Sequence, residues 1–152
     1  MQVPHDTFVL VADGRKLLFL RNEGDAQALN LQVEAAEEKP NPATRDQATD
    51  AAGRSSSTSP NGDNARSGSS MEQTDFHQIE EDRFAAEAAD MLKRRALANE
   101  FERLIIVAPP RTLGELRKHY HKEVERRLAG ELAKDLTGHP MVEIEAALLA
   151  AE

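Results

Sequence analysis

Two short apolar runs constrain the fold of this chain more than any other feature. Residues 7–12 read TFVLVA and residues 104–108 read LIIVA. Both runs are rich in β-branched side chains and are too short for helices, which indicates strands. Because neither run alternates with polar residues, we expect both strands to be buried on both faces, as in a sheet that helices cover.

The first run opens a predicted antiparallel meander of three strands. Asp13-Gly14 follows it, a dipeptide that readily takes the positive φ values of a tight hairpin turn. Residues 16–21 then return as a second strand. Residues 29–34 alternate apolar and polar side chains, and this period of two predicts a half-buried third strand.

The stretch GRSSSTSPNGDNARSGSS at residues 53–70 contains no large apolar side chain. Periodicity is lost over a wider segment, which predicts a flexible loop at about residues 38–74. Segments with strand and helix patterns flank this loop, and neither flank could bury its apolar faces alone. We therefore expect a single domain over residues 1–152 that holds out the loop.

A long amphipathic helix is predicted after the loop. Asp75 and Gln78 resemble a capping box at its start, and it ends at about Asn99. Its expected buried stripe, at helical spacing, comprises Phe84, Ala88, Met91 and Leu92.

Two more helices are predicted in the last third of the chain. Thr112 and Glu115 have the spacing of another capping box. A terminal helix over about residues 140–150 is expected to bury Ile144, Ala147 and Leu148. Between these helices, residues 123–136 carry apolar side chains four apart, which fits a helix face and also one face of a strand.

Composition excludes several classes of protein. The chain has no cysteine, so disulfides, thiol nucleophiles and thiolate metal sites are excluded. No basic segment precedes the apolar run near the start, and charges cut that run short, so neither a signal peptide nor a membrane span is expected. These features favour a soluble, cytoplasmic protein.

Charge is unevenly distributed along the chain. The formal net charge of −8 argues against a surface that coats nucleic acid uniformly. Residues 111–127 nevertheless contain six Lys or Arg against three Glu. His119 and His121 lie in the same segment, without the ligand spacing of a metal site. Arg54 and Arg66 add two cations to the loop, where guanidinium groups and serine hydroxyls could contact phosphates.

Several motifs, taken in order, resemble a known family. They are VADGR at 11–15 with the Phe19 strand, GRS at 53–55, DRFA at 82–85, residues 104–110 with Leu113 and LR at 116–117, and ELAKDLT at 131–137. Together they resemble the bacterial host-attachment protein family, named as required for attachment to host cells. That family is similar to the middle domain of the class-1 peptide release factors of archaea and eukaryotes. The resemblance covers nearly the whole chain.

The resemblance implies a ribonuclease-H-like mixed sheet of about five strands with packed helices, including a strand at about residues 128–135. It also places the loop where release factors carry the Gly-Gly-Gln tripeptide that enters the peptidyl-transferase centre. This sequence has no Gly-Gly pair. Hydrolysis of peptidyl-tRNA is therefore not expected.

Two functional hypotheses remain open. The first is a non-catalytic module that binds ribosome, tRNA or another RNA. Its candidate residues are Gly53, Arg54, Ser55 and Arg66 in the loop, supported by Lys118, Lys122, Arg126 and Arg127. The second is a protein-interaction or surface-associated factor that acts in attachment to host cells. Neither hypothesis requires a cofactor or a metal.

Carboxylates at strand ends are few, which disfavours a metal-dependent nuclease. Asp13 is explained by its turn. Asp135 and Thr137 follow a strand, and one or the other is expected to satisfy nearby backbone donors. The loop is equally consistent with a solvated segment that binds nothing.

Overall fold

A computed structural model describes the backbone of residues 1–39 and 62–151 and the side chains of residues 1–39 and 76–151. The elements in chain order are β1 (Phe8–Ala12), β2 (Lys16–Asn22), β3 (Leu31–Glu38), α1 (Gly62–Leu97), β4 (Leu104–Ala108), α2 (Pro110–Arg117), α3 (Lys122–Arg127), β5 (Leu128–Ala133) and α4 (Met141–Ala150). The predicted single-domain α/β class is confirmed.

The five strands form one sheet in the order β3-β2-β1-β4-β5. β1, β2 and β3 pair antiparallel, which confirms the meander. β4 pairs parallel with β1, and β5 pairs parallel with β4. The expected mixed sheet is confirmed, and its strand order is compatible with a ribonuclease-H-like arrangement.

Helices pack on both faces of the sheet because β1 and β4 have no polar face. Every residue of these two strands is buried. Phe8 and Leu10 of β1 pack with α1, α2 and α3 on one face, the α1 face. Val9 and Val11 pack with Ile144 of α4 on the other, the α4 face. In the described part of the chain, no helix is long and apolar enough to cross a membrane.

The long helix begins earlier than predicted. α1 begins at Gly62, so residues 62–74 of the predicted loop have helical backbone, and residues 40–61 lie outside the described residues. No proline occurs between Pro60 and Pro109 to block the helix. Extending an existing helix through small polar residues costs much less than nucleating a new one, which is why composition misplaced the start.

The predicted capping box at Asp75 is wrong for the same reason, because that residue lies inside the helix. Gln78 donates instead to Asp82 Oδ1 over 2.6 Å. At the other end, Asn99 adopts a φ of 62° and the Glu100 N–H donates to the Arg95 carbonyl over 2.9 Å. This left-handed residue closes the helix. The predicted buried stripe is confirmed at Phe84, Ala88, Met91 and Leu92.

The turn between β1 and β2 does not use the predicted positive φ, since no described glycine has one. Asp13 Oδ1 instead accepts from the Arg15 N–H over 2.8 Å and the Lys16 N–H over 2.7 Å. These side-chain bonds hold the turn. A Cβ at Gly14 would lie 2.7 Å from the carboxyl carbon of Glu81, whose flexible side chain would have to move aside.

α2 begins at Pro110, without the predicted capping box at Thr112. Its N-cap is Pro109, which makes no side-chain bond to the helix. Proline suits the first helical position because its missing N–H would have no partner there. Glu115 accepts from Lys118 Nζ over 2.8 Å instead of capping.

The ambiguous segment at residues 123–136 contains both a helix and a strand. α3 ends at Arg127, and β5 begins at the next residue, which confirms the predicted strand. Leu132 pairs with Val107 across the parallel ladder. Helix propensity decides the structure of α3, whereas in β5 pairing with the buried strand β4 overrides the helix propensity of the residues.

Candidate nucleic-acid interface

α2 and α3 form a helical hairpin, residues 110–127, on the α1 face. Leu113 and Leu116 of α2 and Val124 of α3 are buried against the sheet and α1. His121 caps α3, because its Nδ1 accepts from the Glu123 N–H over 3.0 Å. With the apolar side buried, the polar side of the hairpin faces solvent.

The solvent side of the hairpin carries a group of basic side chains. The exposed ones are Arg111, Arg117, Lys118, His119, Lys122 and Arg126. Lys122 and Arg126 are one helical turn apart and lie on the same side of α3. Three of the predicted residues, Lys118, Lys122 and Arg126, are therefore exposed on one hairpin. We call this set of six side chains the hairpin cations; His119 counts as a cation only when it is protonated.

Half of the hairpin cations are paired with carboxylates. Arg117 binds Glu131 of β5, with 2.7 Å between Nη2 and Oε1. Arg126 Nη2 lies 2.7 Å from Glu123 Oε2. The hydrogen bond and charge of Glu115 raise the pKa of Lys118, and the charge of Asp82 on α1 adds to this effect. Exposed pairs of this kind contribute little free energy, so a stronger anion can replace the carboxylate.

The other half have no such partner. The side chains of Arg111, His119 and Lys122 make no hydrogen bond or ion pair with any group in the described residues. An unpaired cation gains most from a phosphate, because no internal contact must be broken first.

Arg127 does not belong to this surface. Its Nη1 donates to the Asn99 Oδ1 over 3.0 Å and to the Phe101 carbonyl over 2.5 Å, and its guanidinium lies 6.0 Å from the Phe101 ring centre. Only 12% of its side chain is exposed. Arg127 ties α3 to the loop after α1, and its role in binding a partner stays a prediction.

The predicted loop residues are placed only in part. Gly53, Arg54 and Ser55 lie outside the described residues. Arg66 falls in the helical backbone of α1, and its side chain lies outside the described ones. The role of these four residues stays a prediction.

Glu131 was not predicted, and it links the hairpin to the sheet. It accepts from the Tyr120 hydroxyl over 3.0 Å as well as from Arg117. Burial, together with the charge and hydrogen bond of Glu131, raises the pKa of Tyr120. Since Glu131 lies on β5, this contact holds the turn between α2 and α3 at a fixed position on the sheet. This contact was hard to predict from the sequence, because 11 residues separate Tyr120 from Glu131.

A second unpredicted cluster lies where β1, β4 and β5 end. Thr137 Oγ1 donates to Asp13 Oδ2 over 2.7 Å and lies 3.2 Å from Asp135 Oδ1. The expectation that Thr137 binds backbone donors is wrong, because its hydroxyl binds a side chain 124 residues away. The carboxyl ends of parallel strands lie at the same end of a sheet. This rule could have predicted from the sequence that the residues after β1 and after β5 lie close together.

No metal site is evident in the described residues. The side chains of residues 1–39 and 76–151 include no group of three or more His, Asp or Glu positioned to hold a metal ion. The Asp13 carboxylate is already bound by two backbone N–H groups and one hydroxyl. This geometry fits a structural tie between the first turn and the segment after β5.

A pocket of about 710 Å³ lies at the end of the sheet where β1 and β4 begin, and its lining includes Arg21, Arg95 and Arg103. Arg21 contacts three carboxylates within 3.3 Å, and Arg95 pairs with Glu100 over 2.9 Å. Arg103 has no such partner among the described side chains, but the hairpin has two unpaired cations, Arg111 and Lys122, and is therefore the better candidate for binding phosphates.

Comparison with known proteins agrees with this architecture. A model of the bacterial archaeo-eukaryotic release factor family 12 matches residues 6–148. No curated protein matches the chain. The release-factor part of the resemblance is confirmed, and the attachment name stays a prediction. Such a family suggests a translation-related role, and a release-factor-like domain is not in itself catalytic. The chain belongs to the bacterial archaeo-eukaryotic release factor family 12.

Proposed function

We propose that the protein is a non-catalytic module that binds ribosomal RNA or tRNA in a translation-related role. The observation that carries this proposal is the set of hairpin cations, exposed together on a chain whose net charge is −8. Family membership supports the translation-related part. The hairpin contacts the phosphate backbone, which is the part of RNA that binds cations without regard to sequence.

Rearrangement of ion pairs supplies additional phosphate contacts. Lys122 is unpaired among the described residues and binds first. Arg117 and Arg126 then exchange their carboxylate partners for phosphate oxygens, which a guanidinium binds with two parallel hydrogen bonds. Since Arg117 also anchors the hairpin through Glu131, its exchange is less favourable than that of Arg126.

Binding without peptide release fits the sequence. Release activity in the related domains resides in a Gly-Gly-Gln tripeptide, and this chain has no Gly-Gly pair. The purified protein should therefore associate with ribosomes and leave peptidyl-tRNA intact. Robust peptide release from ribosome-bound tRNA would contradict this part of the proposal.

The test uses fluorescence anisotropy with labelled tRNA and with a ribosomal RNA fragment, over a range of salt concentrations. The Lys122→Ala/Arg126→Ala variant should bind more weakly, and its salt dependence should be shallower by up to about two phosphate contacts. The matched control is Arg94→Ala/Arg103→Ala, which removes the same charge, from one paired and one unpaired arginine, outside residues 110–127. Equal binding by both double variants would overturn the hairpin as the interface.

The loop is tested separately with Arg54→Ala/Arg66→Ala. If residues 53–70 also contact phosphates, this variant should weaken binding and flatten the salt dependence in the same way. Wild-type affinity in this variant, with the fold intact, would restrict the interface to the hairpin.

Attachment to host cells, the role implied by the resemblance, follows indirectly from altered translation in this proposal. Co-sedimentation with ribosomes and surface labelling of intact cells distinguish the two locations. Strong surface labelling without ribosome association would favour a direct role as a surface-associated factor.

A further inference from the structure

Among the strands of the described residues, β3 is at the edge of the sheet and pairs only with β2. In an antiparallel ladder, the backbone groups of successive residues point alternately toward and away from the neighbouring strand. The Lys39 N–H donates to the Arg15 carbonyl of the β2 side over 2.7 Å, so the backbone groups of Glu38 and Ala36 point away from β2. At the start of β3, the Leu31 N–H also points outward and donates to Glu145 Oε2 of α4 over 2.9 Å. The middle and end of the strand therefore present backbone groups to a further strand.

The α1 face beside this edge is an acidic groove. The groove has a volume of about 420 Å³ and is lined by Glu37, Arg83, Ala86, Glu87, Asp90, Met91 and Arg94. Both arginines are already neutralised, Arg83 by Glu80 over 3.0 Å and Arg94 by Asp90 over 3.0 Å. Glu87 binds Lys39 Nζ over 2.8 Å, whereas the Glu37 side chain has no hydrogen-bond or ion-pair partner among the described residues. The groove thus has uncompensated negative charge at the strand itself.

The α4 face beside the same edge is apolar. Val33 is 53% exposed and lies two residues from the buried Leu31, on the same face of β3. Val142 and Leu149 lie three residues before and four after Glu145, on the side of α4 that reaches β3, and are 68% and 44% exposed. Three of the five large exposed apolar side chains of the described residues therefore belong to this side of the molecule.

We propose that the β3 edge binds an extended peptide in which basic and apolar residues alternate, as a sixth strand of the sheet. The open backbone supplies the ladder, and the pleat directs alternate peptide side chains to opposite faces. Basic side chains then enter the groove at Glu37, and apolar ones contact Val33. A second copy of this chain is a poorer occupant, because pairing two β3 strands would bring the carboxylates of both copies together.

The probe is a short fluorescein-labelled peptide that alternates valine and lysine, compared with one that alternates valine and glutamate. The lysine peptide should bind at least about tenfold more tightly than the glutamate peptide, and added salt should weaken the binding of the lysine peptide. Strand addition should also slow amide hydrogen exchange at Ala36 and Glu38, which general charge attraction would not do. Equal affinity for the two peptides, or unchanged exchange at both amides, would overturn the proposal.

Two variants test the site within the protein. Glu37→Lys reverses the charge of this side chain in the groove and should lower the affinity for the lysine peptide at least about fivefold. Its matched control, Glu143→Lys, makes the same charge change at an exposed position on α4 and should bind like the wild type. Ala36→Pro removes an outward N–H and leaves the β2 ladder intact, so it should weaken binding with little change in unfolding midpoint. Wild-type affinity in Glu37→Lys overturns the proposal even if Ala36→Pro fails to fold.

Discussion

Asp13 binds three groups with one carboxylate, two backbone N–H groups through Oδ1 and the Thr137 hydroxyl through Oδ2. Thr137 is only 6% exposed, so its hydroxyl depends on this partner. Thr137→Val should lower the free energy of unfolding by about 1–2 kcal/mol, because the buried side of Asp13 loses its donor. Urea denaturation measures the change, and Thr137→Ser, which keeps the hydroxyl, should stay near wild type. An unchanged Thr137→Val would show that the bond contributes nothing.

Two glycines are expected to respond to alanine with opposite signs. A Cβ at Gly24 would overlap the Ala28 carbonyl oxygen, which is backbone and cannot move aside cheaply. Gly24→Ala should therefore destabilise the protein by about 1–3 kcal/mol. Gly114 lies inside α2, and a Cβ added there would have no other atom within 4 Å, so Gly114→Ala should stabilise by up to about 1 kcal/mol. Thermal unfolding of both variants checks the signs.

Tyr120 is the only tyrosine, and the chain has no tryptophan, so its ionisation can be followed by absorbance. Burial, and then Glu131, raise its pKa in the folded protein. Near pH 10 the unfolded state loses the Tyr120 hydroxyl proton, whereas the folded state keeps it. The contribution of Tyr120 to the free energy of unfolding is therefore constant below about pH 10 and falls as the pH rises above it. Tyrosinate should be absent from the folded protein at that pH, and Glu131→Gln should lower the pKa in part. Normal titration of the folded wild type would contradict this.

At the scale of elements, α1 is held to the sheet by its buried stripe. Phe84 is 2% exposed, whereas Ile79 on the same helix is 54% exposed. Phe84→Ala should cost about 3–5 kcal/mol, because it leaves a cavity between the helix and the sheet. Ile79→Ala should change stability by less than about 0.5 kcal/mol. Similar losses in both variants, measured by urea denaturation, would show that α1 does not pack as described.

At the scale of the whole molecule, the two cores share the same strands. Alternate residues of β1 belong to opposite cores, with Leu10 in one and Val9 in the other. We therefore expect a single cooperative unfolding transition, with the same urea midpoint by far-ultraviolet circular dichroism and by Tyr120 fluorescence. Separate midpoints would indicate that α4 or the hairpin unfolds independently.

The sequence by itself determined the elements whose signal is local. β1 and β4 were predictable because a run without polar residues must be buried on both faces, and the Phe84 stripe because helical spacing defines one face. The terminal helix and the meander follow from the same rules. Three of the hairpin cations were also predictable, because charged side chains near Lys122 cluster along the chain itself.

Only the tertiary structure decided which charged and polar groups became structural. Arg127 and Arg126 are neighbours with the same chemistry, yet one is buried against Phe101 and the other is exposed. The start of α1 and the edge position of β3 likewise depend on packing and strand order. Thr137 and Asp13 meet because parallel strands end at one edge. Local patterns record which side chains avoid water, whereas partners distant in sequence are set by topology, which no local pattern contains.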